Sequence, residues 1–89
     1  MGHQQLSLSE SDIETIRQVI ARRAPDLLPL VERLASFPLP SLALSDEEAH
    51  ELSLVLYDEF VENGLEENYE PNEYGRKLDT IIGRVVFRG

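Results

Sequence analysis

The sequence predicts an all-α fold, a single-domain bundle of about four helices with a Pro-rich connector, and three observations carry that expectation. Apolar residues recur at three- and four-residue spacing in four separate stretches. Helix starts are marked by Ser–x–x–acid pairs, Asp or Asn, and helix ends by Pro or Gly. The chain has 89 residues, 42% of them apolar and 28% charged, which suits one globular domain rather than a disordered segment.

The first helix opens on a capping box from Ser11 to Glu14, in which each side chain satisfies the other's free backbone N–H. Ile13, Ile16 and Ile20 share one face, Arg22 and Arg23 suit the negative helix end, and Pro25 stops it. Asp26 is positioned to cap a second helix with Pro29 in its tolerant first turn and Leu27, Leu30, Val31 and Leu34 as its apolar face. Residues 37–44, Phe37-Pro38-Leu39-Pro40 onward, read as an extended strap laid across the core.

The third helix is the best marked. Ser45 and Glu48 form a capping box, and Asp46, Glu47 and Glu48 sit in the positive first turn. At 100° per residue, Ala49, Leu52, Leu56 and Phe60 fall within an arc of about 80°. Leu54, Tyr57 and Val61 are expected as a second buried ridge beside them, leaving Glu47, Glu51, Asp58 and Glu62 as a carboxylate stripe toward solvent. Glu59 falls near the core. Gly64 fits a left-handed helix stop, with Leu65 folding back. After a polar loop from Glu66 to Pro71, Asn72 caps a fourth helix carrying Tyr74, Leu78, Ile81, Ile82 and Val85, in which Gly75 points to a close backbone approach.

Composition narrows the function classes. Without cysteine there is no disulfide framework and no thiolate chemistry, which fits a cytoplasmic protein. No apolar stretch approaches the length of a membrane span. The start lacks the basic flank and apolar core of a secretory signal, and Met1-Gly2-His3 reads as a tag remnant. Residues 1–8 are expected to be a flexible N-terminal segment. A net charge of −9 disfavours nucleic acid and anionic membrane and favours a basic partner, a cation or simple solubility.

That charge is unevenly spread. Residues 34–75 hold eleven acids and no Lys or Arg, whereas Arg76, Lys77, Arg84 and Arg88 crowd the last helix. An acidic face of this kind is either a solubilising surface, helped by pairing with those four cations, or a binding surface dotted with Tyr57, Tyr69 and Tyr74. The binding reading selects Asp58, Glu62, Glu66, Glu67, Tyr69, Glu70 and Glu73 as partner-contacting residues. By analogy with small acidic bacterial proteins that neutralise a basic toxin, its most concrete form is an immunity- or antitoxin-type inhibitor of a basic protein. A self-associating subunit that uses Phe37, Leu39, Leu42 and Leu44 is the alternative, which makes a homo-oligomer the second expectation.

Catalysis ranks third. His50, a turn beyond Asp46 and Glu47, is the residue best suited to act as a base near neutrality, and a small helical chain offers little room for an enclosed cleft. No enzyme activity, cofactor or metal is expected. A calcium loop aligned on Gly64 as its sixth position would place Glu67 at nine and Glu70 at twelve. Its head would then be Glu59 and Val61, where the loop requires Asp and an oxygen ligand.

The runs Asp58-Glu59-Phe60, Asn63-Gly64-Leu65-Glu66-Glu67-Asn68, Glu70-Pro71-Asn72-Glu73-Tyr74-Gly75 and Leu78-Asp79-Thr80-Ile81-Ile82 resemble the C-terminal half of small bacterial helical proteins of uncharacterised function. That resemblance spans about a third of the chain. It implies a bacterial cytosolic protein and brings no established activity.

Overall fold

The computed structural model describes residues 7–37 and 39–86, and every structural statement below concerns these residues. Four helices of nine residues or more form the all-α body: α1 (Glu10–Arg23), α2 (Leu28–Ser36), α4 (Asp46–Asn63) and α5 (Glu73–Val85). A single-turn helix, α3 (Pro40–Ala43), sits in the connector between α2 and α4. The two long helices α1 and α4 pack together at the centre, with α2 against α1 and α5 against α4. The result is a slab of 37 × 36 × 22 Å, about two helix diameters thick.

Each helix start has a local chemical reason, and two differ from expectation. The capping box of α1 is Ser9 with Asp12 rather than Ser11 with Glu14: Ser9 Oγ accepts from the Asp12 N–H at 3.1 Å, and Asp12 Oδ2 accepts from the Ser9 N–H at 3.1 Å. Both Ser–x–x–acid pairs are available locally, and tertiary contacts favour the earlier one. Leu8, just before the cap, is buried, as is Ile13 four residues into the helix, the two positions of a hydrophobic staple. Arg84 Nη1 also donates to Asp12 Oδ2 at 2.8 Å, tying this cap to α5. Leu8, the last residue of the N-terminal segment expected to be flexible, is buried, and residues 1–6 of that segment lie outside the described residues.

Asp26 does not cap α2. Pro25 instead opens a 3₁₀ turn, Pro25–Leu27, that runs directly into the helix, so backbone bonds such as Leu27 N–H to Ala24 O (2.8 Å) take the place of a side-chain cap. The connector is not wholly extended either. Leu39 is extended, but Pro40 sits in the first turn of α3, where its fixed φ suits a helix and its missing N–H costs nothing. Leu44 is buried as the core side of the strap, whereas Phe37 and Leu42 face solvent.

Helix α4 starts as expected, with Ser45 Oγ accepting from the Glu48 N–H at 3.1 Å and Glu48 Oε1 accepting from the Ser45 N–H at 2.9 Å. Its inner arc buries Ala49, Leu52 and Leu56, against Ile16, Val19 and Ile20 of α1, Val31 and Leu34 of α2, and Leu78, Ile81 and Val85 of α5 in one core cluster. The expected second ridge is not buried: Leu54 is 51% exposed, Tyr57 54% and Val61 47%. Two helices, α1 and α5, pack on α4 from the inner side, and neither covers the outer one.

Gly64 closes α4, but not in a left-handed conformation, since its φ is −100°. The requirement is space. A Cβ on Gly64 would lie 2.8 Å from Gly75 Cα and 2.7 Å from Phe60 O, and a Cβ on Gly75 would collide with Gly64 O. The two glycines therefore let the end of α4 and the start of α5 touch backbone to backbone, as Gly75 alone suggests from sequence.

Candidate functional site

The acids of α4 and of the following loop divide by what holds them. Glu59, on the inner arc of α4, is only 2% exposed. Arg23 Nε donates to its Oε1 at 2.7 Å, Arg22 Nη2 to its Oε2 at 3.1 Å, and the Tyr74 hydroxyl to Oε2 at 2.8 Å. Burial works to raise the Glu59 pKa, but hydrogen bonds from Arg22, Arg23 and Tyr74 and the nearby Arg22 charge outweigh it and hold it at about 2. Burial, then the Glu59 hydrogen bond, pushes the Tyr74 phenol above its usual value. Every oxygen is occupied within the fold, so this cluster joins α1, α4 and α5 structurally.

Arg23 also reaches Glu62, Nη2 to Oε1 at 2.6 Å, and Arg33 of α2 pairs with Glu48, Nη2 to Oε2 at 2.8 Å. The cations that answer the acidic stretch thus come from α1 and α2. Those of the last helix are placed differently: Arg84 pairs with Asp12, Lys77 Nζ donates to Ser11 Oγ at 2.7 Å, and Arg76 is exposed with no ion pair among the described residues. Arg88 lies outside the described residues.

The loop between α4 and α5 is a small closed hairpin. Leu65 and Pro71 form an antiparallel bridge, the Glu66 N–H donates to Glu70 O at 2.8 Å, and the Asn72 N–H donates to Gly64 O at 2.9 Å. At its tip the Tyr69 N–H donates to Glu66 O at 2.8 Å, and Asn68 Oδ1 accepts from the Glu70 N–H at 3.2 Å. Tyr69 takes the left-handed conformation, φ 66°, that closes this turn. Asn72 anchors the exit: its Oδ1 accepts from the Gly75 N–H at 2.7 Å and its Nδ2 donates to Asn63 O at 3.2 Å.

Of the sequence-selected residues, Asp58 lies on the outer face of α4, Glu66, Glu67, Tyr69 and Glu70 on the hairpin, and Glu73 in the first turn of α5, all exposed. None of the five acids among them has an ion-pair partner among the described residues. Glu62 is exposed but already bound by Arg23, and Tyr74 is turned inward to Glu59. His50 is exposed on α4, with no carboxylate within ion-pair distance among the described residues. Glu59, the head of the aligned calcium loop, is committed to Arg22, Arg23 and Tyr74, and no group of three or more candidate metal ligands occurs among the described residues.

Fold and surface together define a small all-α protein with a one-signed hairpin at one end. No protein-family model, curated protein or solved structure matches the chain. Among the described residues, no helix is long and apolar enough to cross a membrane.

Proposed function

We propose that the protein is a non-enzymatic interaction module that captures a basic protein partner through the acidic hairpin and its flanks, Asp58, Glu66, Glu67, Tyr69, Glu70 and Glu73. One observation carries the reading: with Arg22, Arg23 and Arg33 committed to Glu59, Glu62 and Glu48, these acids remain without ion pairs among the described residues. Crowded like charges cost stability, and a basic partner that neutralises them relieves that repulsion on binding. Hydrogen bonds within the hairpin fix the backbone of Glu66, Glu67, Tyr69 and Glu70, so that segment has little backbone freedom left to lose on binding. Tyr69, 82% exposed, supplies the aromatic contact that interfaces favour. Inhibition of a basic enzyme is the most concrete form of this activity, and the reading takes the protein to be bacterial and cytosolic.

The test is capture of partner from an extract of the source organism by Glu66→Lys/Glu67→Lys/Glu70→Lys. These three positions are exposed and take no part in the Glu59 cluster, so the fold, followed by circular dichroism, is expected to persist while capture is lost. Capture at wild-type strength by the folded triple variant refutes the reading. Self-association is the second reading, favoured by exposure of Phe37 and Leu42 on the connector. It predicts an oligomer in sedimentation that Leu42→Asp dissolves.

A further inference from the structure

The outer face of α4 combines two kinds of group that a solvated helix keeps apart. Leu54, Tyr57 and Val61, spaced by three and four residues, form one stripe within an arc of about 60° at 100° per residue, each about half exposed. On the adjoining rows stand Glu47, Glu51 and Asp58, all exposed and without ion pairs among the described residues. Asp58 is four residues from Leu54 and three from Val61, so carboxylate and apolar side chains are immediate neighbours. Leu54, Tyr57 and Val61 are thus contiguous rather than scattered, and carboxylates border them along one side. Tyr57 stacks on the half-buried Phe60, with ring centroids 6.0 Å apart and planes at 26°. Its ring is thereby braced from the core side, as an anchor residue at an interface is.

Charge selects the occupant. A second copy would bring two chains of net charge −9 together, and nucleic acid or an anionic lipid surface would likewise be repelled. We propose that the Leu54–Tyr57–Val61 ridge is the docking face for an amphipathic basic helix, whose apolar stripe covers the ridge while its flanking Lys and Arg meet Glu47, Glu51 and Asp58. This assignment rests on the reading of the protein as a binder of basic partners and names the element such a partner presents. Val61 lies within one turn of Gly64, so the ridge runs into the acidic hairpin, and a helix docked along α4 continues toward Glu66 and Glu70.

The probe is a fluorescein-labelled synthetic helix of about 18 residues, with Leu along one face and Lys on both flanks, titrated by anisotropy with the full chain at low salt. Saturable binding is expected, weakened about tenfold or more by each of Leu54→Ser, Tyr57→Ser and Val61→Ser, all at exposed positions that leave the fold intact by circular dichroism. A peptide of the same composition with its Leu residues scattered around the helix is expected to bind about tenfold more weakly or worse. Equal affinity for the two peptides, unchanged binding by the ridge variants, or no binding up to about 1 mM overturns the proposal. A wild-type dimer in sedimentation that Val61→Ser dissolves also overturns it, because the ridge would then be a self-association face. The Glu66→Lys/Glu67→Lys/Glu70→Lys variant separates the two claims. Peptide binding lost by the ridge variants but kept by this one supports the ridge whatever the hairpin does. Partner capture lost by this variant alone leaves the acidic-surface reading standing and removes the ridge.

Discussion

Glu59 shows how one side chain can decide the character of a small core. A carboxylate on an apolar helix arc is costly unless its oxygens are filled, and here two arginines and a tyrosine fill them. Its pKa is lowered to about 2, so the ionised form is the one the fold favours. The resulting stabilisation is complete above the ordinary carboxylate value and is lost as pH falls through the folded value, a window from about pH 4.5 to about pH 2. Glu59→Gln is expected to cost about 3 kcal/mol near neutral pH in urea unfolding, with the difference from wild type shrinking through that window. A difference independent of pH would show that the cluster is held by packing rather than charge. The glycines offer a sterically defined pair. Gly75→Ala forces a Cβ into Gly64 O and is expected to destabilise by about 1–3 kcal/mol. Gly83→Ala, with nothing within 4 Å and a helical backbone, is expected to stabilise by about 0.5–1 kcal/mol. Thermal melts of the two variants should therefore shift in opposite directions.

Among the elements, α4 carries the architecture, and its start is the most sharply specified. Ser45→Ala removes the acceptor of the Glu48 N–H and is expected to lower stability by about 1 kcal/mol in denaturant unfolding, with unchanged helix content. Legibility varied with how local the cause was. The caps at Ser45 and Asn72 and the apolar arcs of α4 and α5 follow from neighbouring residues and were readable. The choice of Ser9 over Ser11 depended on Leu8 burial and Arg84, more than seventy residues away, which spacing cannot reveal. The exposure of Leu54, Tyr57 and Val61 depended on which sides of α4 the other helices occupy, again a tertiary matter. The double arginine Arg22-Arg23 and the lone carboxylate in the Leu52–Leu56 arc were visible separately in sequence, but only the packing of α1 on α4 joins them.

At the scale of the whole molecule, the sequence's polarity of charge is redistributed by folding. The first two helices lend three arginines to the acidic stretch, and what remains uncompensated is concentrated on the outer face of α4 and the hairpin. Glu62 thereby leaves the set of available contacts, and Asp58, Glu66, Glu67, Tyr69, Glu70 and Glu73 stay in it. A surface of this sign is expected to attract a basic partner over distances set by the Debye length, about 10 Å at 0.1 M salt, and to release it as salt rises. Binding through this surface is the proposal on which the function rests. Its most direct test follows the partner retained by the immobilised protein as salt is raised from about 0.05 M to about 0.5 M, with Glu66→Lys/Glu67→Lys/Glu70→Lys alongside. Retention that is strong at low salt, falls steeply with salt and is absent in the folded triple variant is the predicted result. A partner held equally by both proteins, with no dependence on salt, would contradict it.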